Sequence, residues 1–153
     1  TEGYTGTLTD VYVQHGTSHD KAFECDGYNS DFSNEGGYFS APQVNNVTVI
    51  GTGEAGNEAI RLRAGTQGIF TNVVVTDFEE AFDLDGDAGD NPTGQGVLDG
   101  LLQVIDVSFN NVTTKLKNDT GFDFTEADFI SGDGNGTGTD VSSWGAGWTV
   151  GIN

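Results

Sequence analysis

Apolar and polar positions alternate strictly in four short stretches of the chain: Thr9-Asp10-Val11-Tyr12-Val13, Asn45-Asn46-Val47-Thr48-Val49, Thr71-Asn72-Val73-Val74-Val75 and Ile105-Asp106-Val107-Ser108-Phe109. Each carries Asp or Asn, then an invariant-looking Val, any residue, and an apolar one. Successive side chains of a strand point to opposite faces, so a period of two predicts a strand with one buried face. A second stretch follows each of these: Ala22-Phe23-Glu24-Cys25-Asp26-Gly27, Ala59-Ile60-Arg61-Leu62-Arg63-Ala64 and Ala81-Phe82-Asp83-Leu84-Asp85-Gly86, with Thr113-Thr114-Lys115-Leu116-Lys117-Asn118 as a weaker fourth copy. This alignment puts Cys25, Leu62, Leu84 and Leu116 in one inward column. The spacing between copies is irregular, as expected when loops of different size leave a common scaffold.

The charges fall into columns of the same alignment. The position before the core residue reads Glu24, Arg61, Asp83, Lys115, and the position after it reads Asp26, Arg63, Asp85, Lys117. Sign alternates along both. The column ahead of the alanines holds Lys21, Glu58 and Glu80, so each of the five basic residues meets an acid if the copies stack. Parallel strands about 4.8 Å apart turn such columns into cross-strand pairs worth roughly 0.2 to 1 kcal/mol each. A slipped coil would oppose like charges, so the columns also fix register. Repeats of two strand segments stacked in parallel predict an all-β fold, a right-handed parallel β-helix (solenoid) with irregular loops. The polar column Asp10, Asn46, Asn72 and Asp106 is expected at bends, bonding by side chain to backbone.

Composition narrows the partners. The chain has 24 Asp or Glu against 5 Lys or Arg, a formal charge of −19, which makes nucleic acid and anionic membranes poor partners and divalent cations natural ones. Val and Ile outnumber Leu by 20 to 7 and glycine reaches 24, a balance that favours strands and tight turns. No run of 18 apolar residues is present, so no transmembrane segment is expected. A single cysteine makes no internal disulfide.

The run from about Thr7 to Asp90 resembles the solenoid of bacterial secreted and cell-surface β-helix proteins of the pectate-lyase-like kind. The words that carry the likeness are Phe23-Glu24-Cys25-Asp26-Gly27, Asn46-Val47-Thr48-Val49-Ile50-Gly51 and Leu62-Arg63-Ala64-Gly65-Thr66. The resemblance implies an extracellular or bacterial cell-surface location. It supplies no activity, because this fold carries lyases, hydrolases, adhesins and inert spacers alike. The organisation expected is a single domain over residues 1–153, with repeated coils over 5–118 and a degenerate coil, Gly-rich loop and cap over 119–153. Gly6-Thr7-Leu8 enters the repeat at once, so the natural protein is expected to continue upstream, this chain being its C-terminal portion.

Two acidic loops are candidate calcium ligands, since calcium takes six to eight oxygens. The first offers Asp83, Asp85, Asp87 and Asp90; the second offers Asp133, Asn135 and Asp140. Neither is an EF-hand: Ala88 and Gly94 stand where that loop counted from Asp83 needs glycine and glutamate, and Trp144 stands where the loop counted from Asp133 needs its bidentate acid. His15 and His19 with Asp20 and Glu24 form a weaker metal candidate, spoiled by Gly16 and the strand context. Cys25 reads as a small hydrophobe. Phe122, Phe124 and Phe129, then Trp144 and Trp148, read as a lid over the last coil; the alternatives are a tryptophan platform for stacking sugars and an interface with another subunit. β-Helix lyases are known for calcium held by acids beside an Arg or Lys base, and Arg61 and Arg63 near Asp26, Asp83 and Asp85 fit that drawing; the ladder accounts for the same residues without a substrate.

The reading is a non-catalytic, calcium-stabilised module for adhesion, glycan contact or scaffolding, with extracellular polysaccharide or copies of itself as partners. The alternatives are a polysaccharide lyase or glycoside hydrolase acting on acidic polysaccharide, and a self-assembling filament subunit.

Overall fold

The structure, a computed structural model, describes residues 3–27, 40–86 and 93–149. Its strands are β1 (Thr7–Gln14), β2 (Lys21–Asp26), β3 (Gln43–Ile50), β4 (Glu58–Arg63), β5 (Gly68–Asp85), β6 (Leu102–Asp119) and β7 (Ile130–Asp133); its short helices are α1 (Thr93–Leu98), α2 (Glu126–Phe129) and α3 (Val141–Trp144). Every strand pairing is parallel. The first coil is β1 with β2, the second β3 with β4, the third β5, the fourth β6, and β7 begins a fifth by pairing with β6. This is a parallel β-helix.

The alternating valines set the interior. Val11, Val47, Val73 and Val107 stand in register, as do Val13, Val49, Val75 and Phe109. The third face of each coil, formed by β2, β4 and the end of β5, stacks Cys25 on Leu62 on Leu84 and Phe23 on Ile60 on Phe82. Phe70, Phe78, Phe82, Ile60, Leu62 and Leu84 are fully buried, each contributing roughly 1.5 to 3 kcal/mol.

Bends between faces fall where asparagine and aspartate stand. Asp10, Asn46, Asn72 and Asp106 all have φ between 54° and 58°, the left-handed region that these two side chains tolerate better than other non-glycine residues. Their side chains bond to each other as much as to backbone: Asn46 Nδ2 donates to Asp10 Oδ1 and Asn72 Nδ2 to Asn46 Oδ1, both at 2.9 Å. The column is a ladder of bends. Asp77 and Asn111 repeat the device at a second corner, with φ of 58° and 51° and a 2.7 Å bond between them.

The weak fourth copy lies two residues from its expected register. Phe82 pairs with Leu116 and Asp83 with Lys117, so Asn118 rather than Leu116 follows Leu84. A shift of two preserves which side chains face inward, and it gives the basic residues different partners. Lys115 leaves the charge column, reaches over the Phe109 ring at 5.2 Å from its centroid, and pairs with Asp133 of the fifth coil. There it helps close the end of the solenoid.

The aromatic cover also divides. Phe129 is buried against Phe82, with ring centroids 5.4 Å apart, and Phe122 and Phe124 pack on the same core, so these three cover the last coil as expected. The tryptophans do not. Residues 133–140 run back down the outside of the solenoid as a strap. Gly134 N donates to Val107 O at 2.7 Å, Ser108 Oγ to Gly136 O at 2.7 Å and Thr137 N to Asn72 Oδ1 at 2.7 Å, while the single hydroxyl proton of Thr139 is shared between Val11 O (3.0 Å) and Asn46 O. The strap delivers α3 to the first coil, where Tyr12 lines a cavity with Val141, Ser142 and Gly145. Glycine is needed here for approach: a Cβ on Gly136 would stand 2.2 Å from Val73 O.

Candidate cation-binding site

The third face carries the charges. Glu24, Arg61, Asp83 and Lys117 stand in one register column, alternating in sign as the sequence alignment requires apart from the exchange of Lys117 for Lys115. Arg61 Nε lies 3.7 Å from Asp83 Oδ2, and its Nη2 is 2.5 Å from Asp85 Oδ2. Arg63 holds Asp26 at 2.5 Å and Glu24 at 3.0 Å.

Within this face Glu58, Glu80 and Asp83 bring one carboxylate oxygen each to within 4.8 Å of one another. β4 supplies Glu58, and β5 supplies the other two; the pairing of Glu58 with Glu80 puts like charges in facing positions. Asp83 is 2% exposed. Its Oδ1 and the Oε2 of Glu58 are buried without a hydrogen-bond partner, as is Arg61 Nε. Buried polar atoms are almost always bonded. Of six such orphaned side-chain atoms among the described residues, these three lie together.

The cations around the cluster satisfy it poorly. Glu58 Oε2 meets Lys21 at 3.8 Å and Arg61 at 3.7 Å; Asp83 meets Arg61 at 3.7 Å and Lys117 at 3.9 Å; Glu80 meets Lys117 at 3.4 Å. The short bonds of the same cations go elsewhere, from Lys21 to Asp20 at 2.8 Å and from Arg61 to Asp85. Burial, reinforced by Glu58, raises the Asp83 carboxyl above its ordinary value despite Lys117 and Arg61. Arg61 is held in its charged form by the bond to Asp85. Burial works against the Lys117 ammonium, but Asp83, Glu80 and Asp119 outweigh it and raise its pKa.

The donor set suits a hard divalent cation. Three carboxylates supply three to six of the six to eight oxygens that calcium takes, and the orphaned Asp83 and Glu58 oxygens are the atoms a cation would satisfy.

The ligands expected from the acidic loops are placed variously. Asp83 joins the cluster and Asp85 pairs with Arg61 beside it; Asp87 and Asp90 lie outside the described residues. The second set is spread along the strap: Asp133 pairs with Lys115, Asn135 donates to Asp106 Oδ1 at 3.2 Å, and Asp140 caps α3 by accepting from Ser142 Oγ and Ser143 N. The strap does not fold these three into one loop. Trp144 and Trp148 meet edge to face at 4.7 Å, with Trp148 Nε1 donating to Trp144 O; they are 38% and 63% exposed, which leaves surface for a ligand. His15 is buried against Phe78, while His19 Nδ1 accepts from Gly16 N. Asp20 and Glu24 are engaged by Lys21 and Arg63, so the histidines and acids do not converge. Cys25 is buried at the foot of the Leu62 and Leu84 column.

Glu58 and Glu80 were not among the expected ligands. The sequence carried one signal for them: theirs is the column in which two acids follow one another while its neighbours alternate.

Residues 1–149 match the family model described as a pectate-lyase like beta helix domain. The chain belongs to that family of β-helix proteins. Comparison with curated proteins and with solved structures returned no match. Among the described residues no helix is long and apolar enough to cross a membrane.

Proposed function

We propose that this chain is a non-catalytic extracellular β-helix module, stabilised by a calcium ion at Glu58, Glu80 and Asp83 and used to contact acidic polysaccharide. The observation that carries the reading is the convergence of three carboxylates around the buried, hydrogen-bond-free oxygen of Asp83. A calcium ion there would keep coordination positions for water or for a carboxylate of the polysaccharide, so one ion serves both the scaffold and the contact. Family membership supports a polysaccharide-related or structural role.

The lyase alternative needs a basic side chain that gives up its proton near neutral pH. Arg61 and Lys117 are the cations beside the cluster, and their acidic neighbours raise both pKa values, which works against that task.

The test is a calcium titration followed by incubation with polygalacturonate. The proposal expects a melting temperature that climbs with calcium more than with magnesium, calcium-dependent retention on the polymer, and no rise in absorbance from unsaturated product. A calcium-dependent rise in that absorbance would replace the scaffold by a lyase, and indifference to calcium would remove the site.

A further inference from the structure

We infer that Lys117 is a tethered counter-ion that competes with the divalent cation and sets the affinity of the site. The inference rests on the cation site proposed above. The Lys117 ammonium approaches two of the three carboxylates of the cluster, Glu80 at 3.4 Å and Asp83 at 3.9 Å, and a third acid outside it, Asp119, at 3.4 Å. The ammonium donates a long hydrogen bond of 3.4 Å to Glu80 Oε2 and makes no shorter contact with Asp83 or Asp119, so it lies among three acids without a short bond to any of them.

Two neighbours define the alternative resting places of this side chain. Asp83 pairs with Lys117 across the β5 and β6 strands, which fixes the backbone of the lysine beside the cluster. Asp119, two residues further along the same strand face, is more than half exposed and draws the ammonium outward. A cation entering between Glu58, Glu80 and Asp83 meets a positive charge already there. Its binding transfers the ammonium to Asp119, where the lysine keeps one carboxylate and gains solvent.

Arg61 cannot play this part. Its guanidinium is anchored at 2.5 Å on Asp85, and its contacts with Glu58 and Asp83 are made by other nitrogens. Lys115 serves as the internal comparison, because it lies on the same strand with the same charge and similar exposure, yet pairs with Asp133.

The experiment measures calcium binding by calorimetry, and terbium binding by sensitised luminescence, on the full chain and on Lys117→Met, Lys117→Gln and Lys115→Met. Folding is checked for each by circular dichroism; Lys117→Gln keeps a polar end if the methionine disturbs the strand. Removing a unit charge that stands 3.4 Å from Glu80 and 3.9 Å from Asp83 is expected to tighten binding roughly tenfold in both Lys117 variants, while Lys115→Met changes it less than about twofold because the same charge is paired with Asp133 and screened. Equal tightening in Lys115→Met and Lys117→Met would overturn the inference, leaving only a net-charge effect. Unchanged affinity in the Lys117 variants would also overturn it, with the site itself intact. Failure of every protein to bind either ion, or undiminished binding by Glu58→Gln/Asp83→Asn, would instead overturn the site reading.

Discussion

Glu58 and Glu80 occupy facing positions on neighbouring parallel strands, two like charges opposed in a face whose adjacent column alternates in sign. Opposed like charges are destabilising by a fraction of a kcal/mol, and the long contacts of Glu58 with Lys21 and Arg61 return little. Glu58→Gln is therefore expected to leave stability in chelator within about 1 kcal/mol of the parent, and to lose the stabilisation by calcium. Thermal melts in chelator and in calcium check both halves. A variant that melts much lower in chelator and still responds to calcium would contradict the site.

Arg61 is engaged by three acids, and its side chain is only 24% exposed. Reversal by Arg61→Glu removes those pairs and adds a fourth negative charge to the cluster, at an expected cost of roughly 3 kcal/mol or more. Lys115→Glu, at an exposed pair on the same solenoid, should cost distinctly less. Urea denaturation of the two variants gives the comparison, and similar losses would mean that the ladder contributes no more than surface charge.

Gly136→Ala tests the strap. The added methyl meets Val73 O at 2.2 Å and Ser108 N at 2.7 Å, backbone atoms that cannot swing aside. A loss of roughly 1 to 3 kcal/mol is expected, together with faster proteolysis after residue 133. Resistance to protease equal to the parent would show that the strap tolerates displacement.

Asp128 gives a pH signature. Its Oδ2 accepts from Thr125 N and Thr125 Oγ1, both at 2.7 Å, and these bonds hold its pKa below the ordinary 3.8. A carboxyl depressed in the folded state stabilises above its unfolded pKa and loses that contribution as pH falls through the folded value. The difference in melting temperature between the parent and Asp128→Asn should thus be constant near neutrality and shrink below pH 3.8. A difference that grows as pH falls would reverse the sign and refute the stabilising role of the Thr125 bonds to Asp128.

The columns of Val11, Val47, Val73 and Val107 were legible because a strand period of two repeats with little interruption, and the stacking of Cys25, Leu62 and Leu84 followed from gap-free copies. The fourth copy was misplaced by two residues because Lys115-Leu116-Lys117 imitates Asp83-Leu84-Asp85 in pattern, and a slip of two leaves the inward set unchanged. The left-handed bends were visible as an Asn and Asp column, but the ladder between their side chains depends on three-dimensional spacing. The acidic cluster of Glu58, Glu80 and Asp83 was hidden because its members come from separate coils, brought together by stacking. The course of residues 133–140 was hidden for a different reason: alternating Gly and Thr suits a calcium turn, a loose connection or a strap equally well, and only the neighbours Asn72 and Thr48 decide.

Solenoids ordinarily unravel from their ends, since each unit touches only the next and cooperativity weakens with distance. The hydroxyl of Thr139 bonded to Val11 O joins positions 128 residues apart, and the same segment is bonded to the three coils above. The terminal winding is thereby stitched to the far one. Fraying of the first coil requires the tail to let go first, so melting should proceed as a single all-or-none event instead of a progressive peeling, and a chain cut before Gly134 should lose that sharpness.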